Sequence, residues 1–194
     1  MDAGVSLHRA YYERSSVNHE ERLGKGDGMD PLQLLLDERE IRLVLYHRAR
    51  ATDSRDLEGA LACYHEDSTE DHEGFDGPIR EYLATASPVF VGDSPVEVNF
   101  HLIGNTDIEI DGDTATCESY FLCALTAREN GTVRDYLNAG RYLDDFTRRE
   151  GVWRIQHRQC VYEWSHGAEV TDQWWTRDAL SALAKTSPDR APDV

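Results

Sequence analysis

The chain has 194 residues, enough for one domain with a sizeable core. Its 37 acidic residues against 20 basic ones give a formal charge of -17, which argues against nucleic acid or an anionic membrane as partner, because a phosphate surface calls for clustered Lys and Arg. No apolar run of about 18 residues is present to span a bilayer.

The first 28 residues are polar and end in GKGDG, and they read as a disordered leader without the apolar core of a secretion signal. The domain is expected over residues 29–167. Asp30-Pro31 opens a long helix, an N-cap followed by Pro at the first helical position, that should run to about Thr52 and be closed by Asp53. A second helix starts near Asp56, with Leu57, Ala60, Leu61 and Tyr64 on one face. A short strand from Ser68 to His72 and a turn, EGFDGP, lead to a third helix at Pro78. From Val96 on, the pattern is strand after strand: 96–103, 105–110, 113–126, 133–148 and 152–164. Asp111-Gly112, Asn130-Gly131 and Glu150-Gly151 are the hairpin turns. Three helices ahead of long antiparallel strands mean an α+β fold with a curved sheet around a helical layer. A last helix is expected over residues 168–186, carrying Trp174 and Trp175, and residues 187–194 read as a disordered tail.

Cys63, Cys117, Cys123 and Cys160 stand singly, without CxxC spacing. Neither a zinc site nor a disulfide framework is suggested, so the thiols read as buried and reduced and the protein as cytoplasmic.

The stretch VEVNFHLIGNTDIEIDGD, Val96 to Asp113, carries the functional signal. Val96, Val98, Phe100 and Leu102 share one face of the strand, while Asn99, His101 and Ile103 share the other. A histidine in mid-strand before an Ile-Gly-Asn jog points to a catalytic base, because imidazole exchanges protons near neutral pH. Further polar candidates are Tyr46, His47 and Arg48 on the long helix, and Arg141 and Arg158 on the last strands. Of these, Tyr46 and Arg141 are placed nearest the cavity and, with Asn99, assigned to substrate binding. Arg158 is read on a face with Arg154 and Gln156, and Glu163 and Asp71 as structural partners of arginines.

The element order resembles the nuclear transport factor 2-like fold, a cone with a cavity at its wide end. Four strings, LYHRARATDSRD, CYHEDSTEDHEGFDGP, HLIGNTDIEIDGDTATCESYF and AGRYLDDFTRREGVWRIQHRQCVYEW, together resemble the SnoaL-like branch of that superfamily over roughly residues 37–164. Scytalone dehydratase and the hexachlorocyclohexane dehydrochlorinase of that superfamily share an Asp at the end of the first helix and a His on the first long strand. The resemblance implies that Asp53 and His101 are those two residues, and that His72 stands where the dehydratase has a substrate-polarising tyrosine. It departs at Thr126, where the dehydratase has a second catalytic His, and at Thr52, where it has a tyrosine; both count against a scytalone-like substrate.

The implied function is a cofactor-independent, metal-free lyase or isomerase. An Asp53–His101 dyad would take a proton from a small hydrophobic, cyclic substrate, with His72 as acid or donor. The alternative is a non-catalytic small-ligand binder or the small subunit of a ring-hydroxylating dioxygenase, and an epoxide hydrolase is a weaker third choice. The resemblance also implies a homo-oligomer, a trimer before a dimer. Plainer readings stand beside these: Asp53 as a helix cap, His101 as a satisfied buried histidine, His72 bonded only to Asp71 or the loop at Gly74–Gly77, and Trp174-Trp175 as core or subunit contact.

Overall fold

The structure, a computed structural model, describes residues 30–170. The expected leader, the tail and nearly all of the expected last helix, with Trp174 and Trp175, lie outside the described residues. Helix α1 spans Pro31–Ser54, its N-terminus closed by the Asp30 carboxylate accepting from Leu32 N–H. It ends at Arg55, whose left-handed conformation returns its N–H to the carbonyls of Ala51 and Thr52. The helix therefore runs past Thr52 and carries Asp53 on its last turn rather than being closed by it. Ile41, Leu45, Arg48 and Thr52 line its buried stripe, whereas Leu32, Leu35 and Leu36 are exposed.

Helix α2, Leu57–Ala62, is capped by Asp56, which accepts from Gly59 N–H at 2.9 Å. Capping therefore falls to Asp56 and not to Asp53. Strand β1 runs Tyr64–His72 and β2 runs Phe75–Pro78, a hairpin where the sequence suggested only a turn. A short helix α3, Ile79–Glu81, continues as a π-helical turn, Tyr82–Ala86. Four long strands follow: β3 Val96–Asp111, β4 Thr114–Glu129, β5 Thr132–Arg149 and β6 Val152–Glu169. Residues 168 and 169 thus continue a strand instead of starting a helix. The jog at Gly104-Asn105 is a register shift between Ile103 and Thr106 within one continuous strand.

The sheet order is β2-β1-β6-β5-β4-β3. All pairings are antiparallel except β1 with β6, which is parallel, so the sheet is mixed. Hairpin turns join the long strands, with positive φ at Gly112, at Asn130-Gly131 and at Glu150-Gly151. Register shifts at Ala139/Gly140 and Asp145/Phe146 bend β5 against β6. At the first, a Cβ on Gly140 would stand 2.0 Å from the Val161 carbonyl oxygen, so only glycine allows that approach. The second shift moves Arg158 onto the face of Trp153 and Ile155, away from Arg154 and Gln156.

Curling of the sheet around α1 gives the molecule two unlike ends. At the closed end, Ile41, Phe146, Trp153 and Ile155 form a dry core. Asp37 is buried beside it, accepting from Trp153 Nε1 at 3.0 Å, from Gln33 Nε2 at 3.0 Å and from Arg148 Nη1 at 2.8 Å. At the other end the inward residues turn polar. On β3 it is the Asn99–His101–Ile103 face that turns inward, while Phe100 and Leu102, of the apolar face, lie exposed on the outside with Leu122 and Trp164.

Burial pushes the Asp37 carboxyl up, but the bonds from Trp153 and Gln33 and the charge of Arg148 outweigh it and hold the group below its ordinary value. A depressed carboxyl contributes stability that is complete above its unfolded pKa and lost as pH falls through the folded one. Asp37→Ala should therefore cost roughly 3 kcal/mol at pH 7, and the gap from wild type should narrow below about pH 4 in urea denaturation. An undiminished gap at pH 2–3 would contradict this assignment.

Candidate active site

A cavity opens between the last turns of α1, the outer half of β3–β6, the end of β1 and the π-helical turn. Its walls include Arg48, Glu70, His72, Tyr82, Asn99, His101, Phe121, Tyr142, Arg158 and Tyr162, with Ser87, Pro88 and Val89 at one side. The enclosed space is about 70 Å³. A cavity of about 150 Å³ takes a benzene ring, so a ring must sit partly in the mouth or widen it.

The last turn of α1 packs against β3 and sets Asp53 against His101. Asp53 Oδ2 accepts the His101 backbone N–H at 2.9 Å, and Oδ1 lies 2.7 Å from His101 Nδ1. Asn99 Nδ2 donates to the same Oδ1 at 3.1 Å, while Asn99 Oδ1 takes the Cys123 thiol at 3.5 Å. A carboxylate only accepts, so the imidazole proton belongs on Nδ1 and the Nε2 lone pair stays available as a base. The His101 side chain is 12% exposed and that of Asp53 23%, enclosed without being cut off from proton exchange.

His72 lies on β1 and bonds neither Asp71 nor the loop at Gly74–Gly77. Its Nδ1 is 3.2 Å from Glu70 Oε1 and its Nε2 is 3.0 Å from the Tyr162 hydroxyl. Its ring stacks on Tyr82 at 4.8 Å between centroids. Behind it, Tyr64 O–H donates to Glu70 Oε2 at 2.9 Å, and Arg48 Nε donates to Tyr64 Oη at 3.2 Å. The carboxylate again fixes the Nδ1–H tautomer, so in neutral His72 the Nε2 accepts from Tyr162. Once His72 is protonated, Nε2 donates instead and the Tyr162 hydrogen is released toward the cavity. Burial raises the Glu70 carboxyl, yet the His72 bond and the charges of Arg158 and Arg48 bring it below its ordinary value. Burial also holds the phenols of Tyr64, Tyr82, Tyr142 and Tyr162 protonated. Arg158 is buried in a two-bond pair with Asp144, at 2.7 and 2.8 Å, and its guanidinium stacks on Tyr142.

His101, His72 and Asn99 thus line one cavity, with Asp53 behind His101 on the side of an outer groove. Arg141 and Tyr46 do not line the cavity. Arg141 sits one residue off the inward register of Asn138, Gly140 and Tyr142, and its guanidinium bonds Glu118 and Glu163 over the Tyr120 ring. Glu163 is thereby the arginine partner expected of it, whereas Asp71 accepts from Gln159 instead. Tyr46 is about half exposed and lines a shallow outer groove with Arg50, Asp53 and Ser54. Sequence reasoning missed Glu70, Tyr64 and Tyr162. Glu70 had a usable signal, since it lies two residues before His72 on the same strand face.

The four cysteines are free and buried. Among the described residues, no group of three or more His, Cys, Asp or Glu side chains is placed to hold a metal ion, and no helix is long and apolar enough to cross a membrane.

Several solved structures share this fold. A protein of Novosphingobium aromaticivorans DSM 12444, provisionally assigned as a scytalone dehydratase, superposes with a TM-score of 0.61 at 19% identity, covering 70% of this chain and 90% of that one. A type 2 hexachlorocyclohexane dehydrochlorinase gives 0.63 at 17% identity, covering 76% and 99%. The β-subunit of a provisionally assigned aromatic-ring-hydroxylating dioxygenase of N. aromaticivorans DSM 12444 gives 0.51 at 22% identity, covering 68% and 92%. At these identities the likeness establishes the nuclear transport factor 2-like fold and leaves the activity open. No curated protein is significantly similar in sequence. Residues 33–159 match the SnoaL-like domain, nearly two thirds of the chain, and the protein belongs to that family.

Proposed function

We propose that the protein is a cofactor-independent lyase or isomerase in which His101, oriented by Asp53, removes a proton from a small substrate held in the cavity. One observation carries the reading: the 2.7 Å contact between His101 Nδ1 and Asp53 Oδ1 on the wall of a cavity that also holds His72. Asp53 fixes the tautomer and stabilises the imidazolium formed after proton abstraction. On the His72 side the group that meets a leaving hydroxyl is the Tyr162 O–H, recharged by His72. Such chemistry requires one base, one acid and a space that limits water.

The substrate in this reading is small and cyclic, its apolar part lying against Phe121, Leu125 and Val89. A homo-oligomer, a trimer before a dimer, and a cytoplasmic location complete it. The competing reading is a ligand-binding protein without turnover, or a subunit of a ring-hydroxylating dioxygenase. It draws on the exposed apolar residues of the outer face, Phe100, Leu102, Leu122 and Trp164. Co-purification with a large iron–sulfur subunit would favour it.

Incubating the protein in D2O with a panel of small cyclic ketones and β-hydroxy ketones, and following loss of the Cα–H signals by NMR, tests the base directly. His101→Ala and Asp53→Asn should each slow exchange or elimination by roughly 10²–10⁴-fold, and near-wild-type rates in both would remove the dyad. Glu70→Gln removes the charge that holds His72 and faces both arginines. It should destabilise the protein by about 2–4 kcal/mol and slow loss of a hydroxyl more than Cα–H exchange, and an equal effect on both steps would contradict the acid side of the assignment.

A further inference from the structure

The proposed function leaves two buried guanidiniums of the cavity wall unused. Arg48 and Arg158 are 6% and 4% exposed. A guanidinium carries five N–H donors. Those of Arg48 serve Tyr64 through Nε and Thr52 through Nη1. Those of Arg158 serve Asp144 through Nε and Nη2. Arg48 Nη2 and Arg158 Nη1 make no hydrogen bond among the described residues, although both side chains line the cavity. Neither atom is among the buried side-chain atoms that lack a partner, so both donors are open to an acceptor that enters the cavity.

The charges around them decide which acceptor suits. Arg48 and Arg158 are matched by Glu70 and Asp144, and the neighbouring phenols of Tyr64 and Tyr142 stay protonated. With His72 protonated, the state in which it recharges Tyr162, the set carries one positive charge in excess, which suits an oxygen that takes on negative charge during reaction. A carbonyl oxygen supplies the missing acceptor and takes on charge only as the α-proton leaves. It also gains most from the two cations when negative charge moves onto it during reaction.

We propose that Arg48 and Arg158 form an oxygen-binding site for a substrate carbonyl, and that the substrate class is small carbonyl compounds with a removable α-proton rather than halogenated or purely apolar rings. This rests on His101 acting as base. His101 Nε2 takes the α-proton, the C–H electron pair becomes the new C=C bond, and the carbonyl π pair moves onto oxygen as an enolate facing the two guanidiniums. Isomerisation follows when the His101 imidazolium returns the proton to another carbon. Dehydration follows when the enolate re-forms C=O and expels a β-hydroxyl, which leaves as water with a proton from Tyr162 replenished by His72. Bulk water then carries the proton gained at His101 back to His72, and no oxidant or reductant is needed.

4-Nitrophenol, whose phenolate absorbs in the visible, mimics the enolate and reads the site without turnover. Bound to the full-length wild-type protein it should ionise at a pH lower than in water by roughly one unit or more, as an oxygen acid beside a cation does. The isosteric 4-nitrotoluene should bind at least about tenfold more weakly, the size of one good hydrogen bond to a charged group. Arg48→Met should abolish most of the shift. Because Arg158→Met alone strands the Asp144 carboxylate, Arg158→Met with Asp144→Leu is the matching variant. His101→Ala and Asp53→Asn should keep the shift. Ionisation at or above the free value, no binding at millimolar probe, or a full shift in both arginine variants would overturn the site. A shift without Cα–H exchange on any ketone would leave the oxygen site and remove the His101 reading; exchange without a shift would do the reverse.

Discussion

Asp53 joins the last turn of α1 to the middle of β3, and the geometry of the cavity follows from that contact. One carboxylate oxygen takes a backbone N–H of the strand while the other faces the ring of the same residue. The helix end, the strand register and the imidazole orientation are therefore fixed together. A one-residue slip of β3 would turn His101 outward and Phe100 inward, so register and chemistry cannot be separated. Asn99 adds a third bond to the carboxylate from the same strand face.

The second organising feature is the run of directed bonds from Arg48 through Tyr64 and Glu70 to His72 and Tyr162. Buried polar groups weaken a fold unless they are satisfied, and this cluster occupies space that the closed end fills with Phe146, Trp153 and Ile155. The molecule is thus divided by function along its strands. At one end the inward positions of β5 and β6 are apolar and stabilise, and beyond the Asp145/Phe146 shift the same strands present Tyr142, Arg158 and Tyr162 to the cavity.

Much of this was legible in the residues. Asp30-Pro31 marked the start of α1, the Asp-Gly, Asn-Gly and Glu-Gly pairs marked the hairpins, and the alternation around His101 put it on a face with Asn99. Other features depend on distant contacts that local patterns do not carry. The bulge at Asp145/Phe146 changes the parity of β6, which is why Arg158 was read on the wrong face with Arg154. Arg141 alternates with Ala139 and Leu143 on β5, and the strand alone does not say which of its faces turns inward; Tyr46 was misplaced because two helical turns from Asp53 leave the outer groove and the inner cavity equally near. The apolar face of β3 carries the stronger hydrophobic signal and still turns outward, because the inner face is reserved for polar residues. The pairing of β1 with β6, which brings His72 to Tyr162, joins segments 90 residues apart in sequence.

The central claim is that Asp53 holds the His101 proton on Nδ1 and leaves Nε2 free as a base. Long-range 1H–15N NMR correlation on the 15N-labelled protein at neutral to mildly alkaline pH reads this tautomer directly. The account predicts an Nδ1–H ring for His101 with an unprotonated Nε2, and a shift toward the common Nε2–H form in Asp53→Ala. An Nε2–H ring in the wild type, or a tautomer indifferent to Asp53, would contradict it.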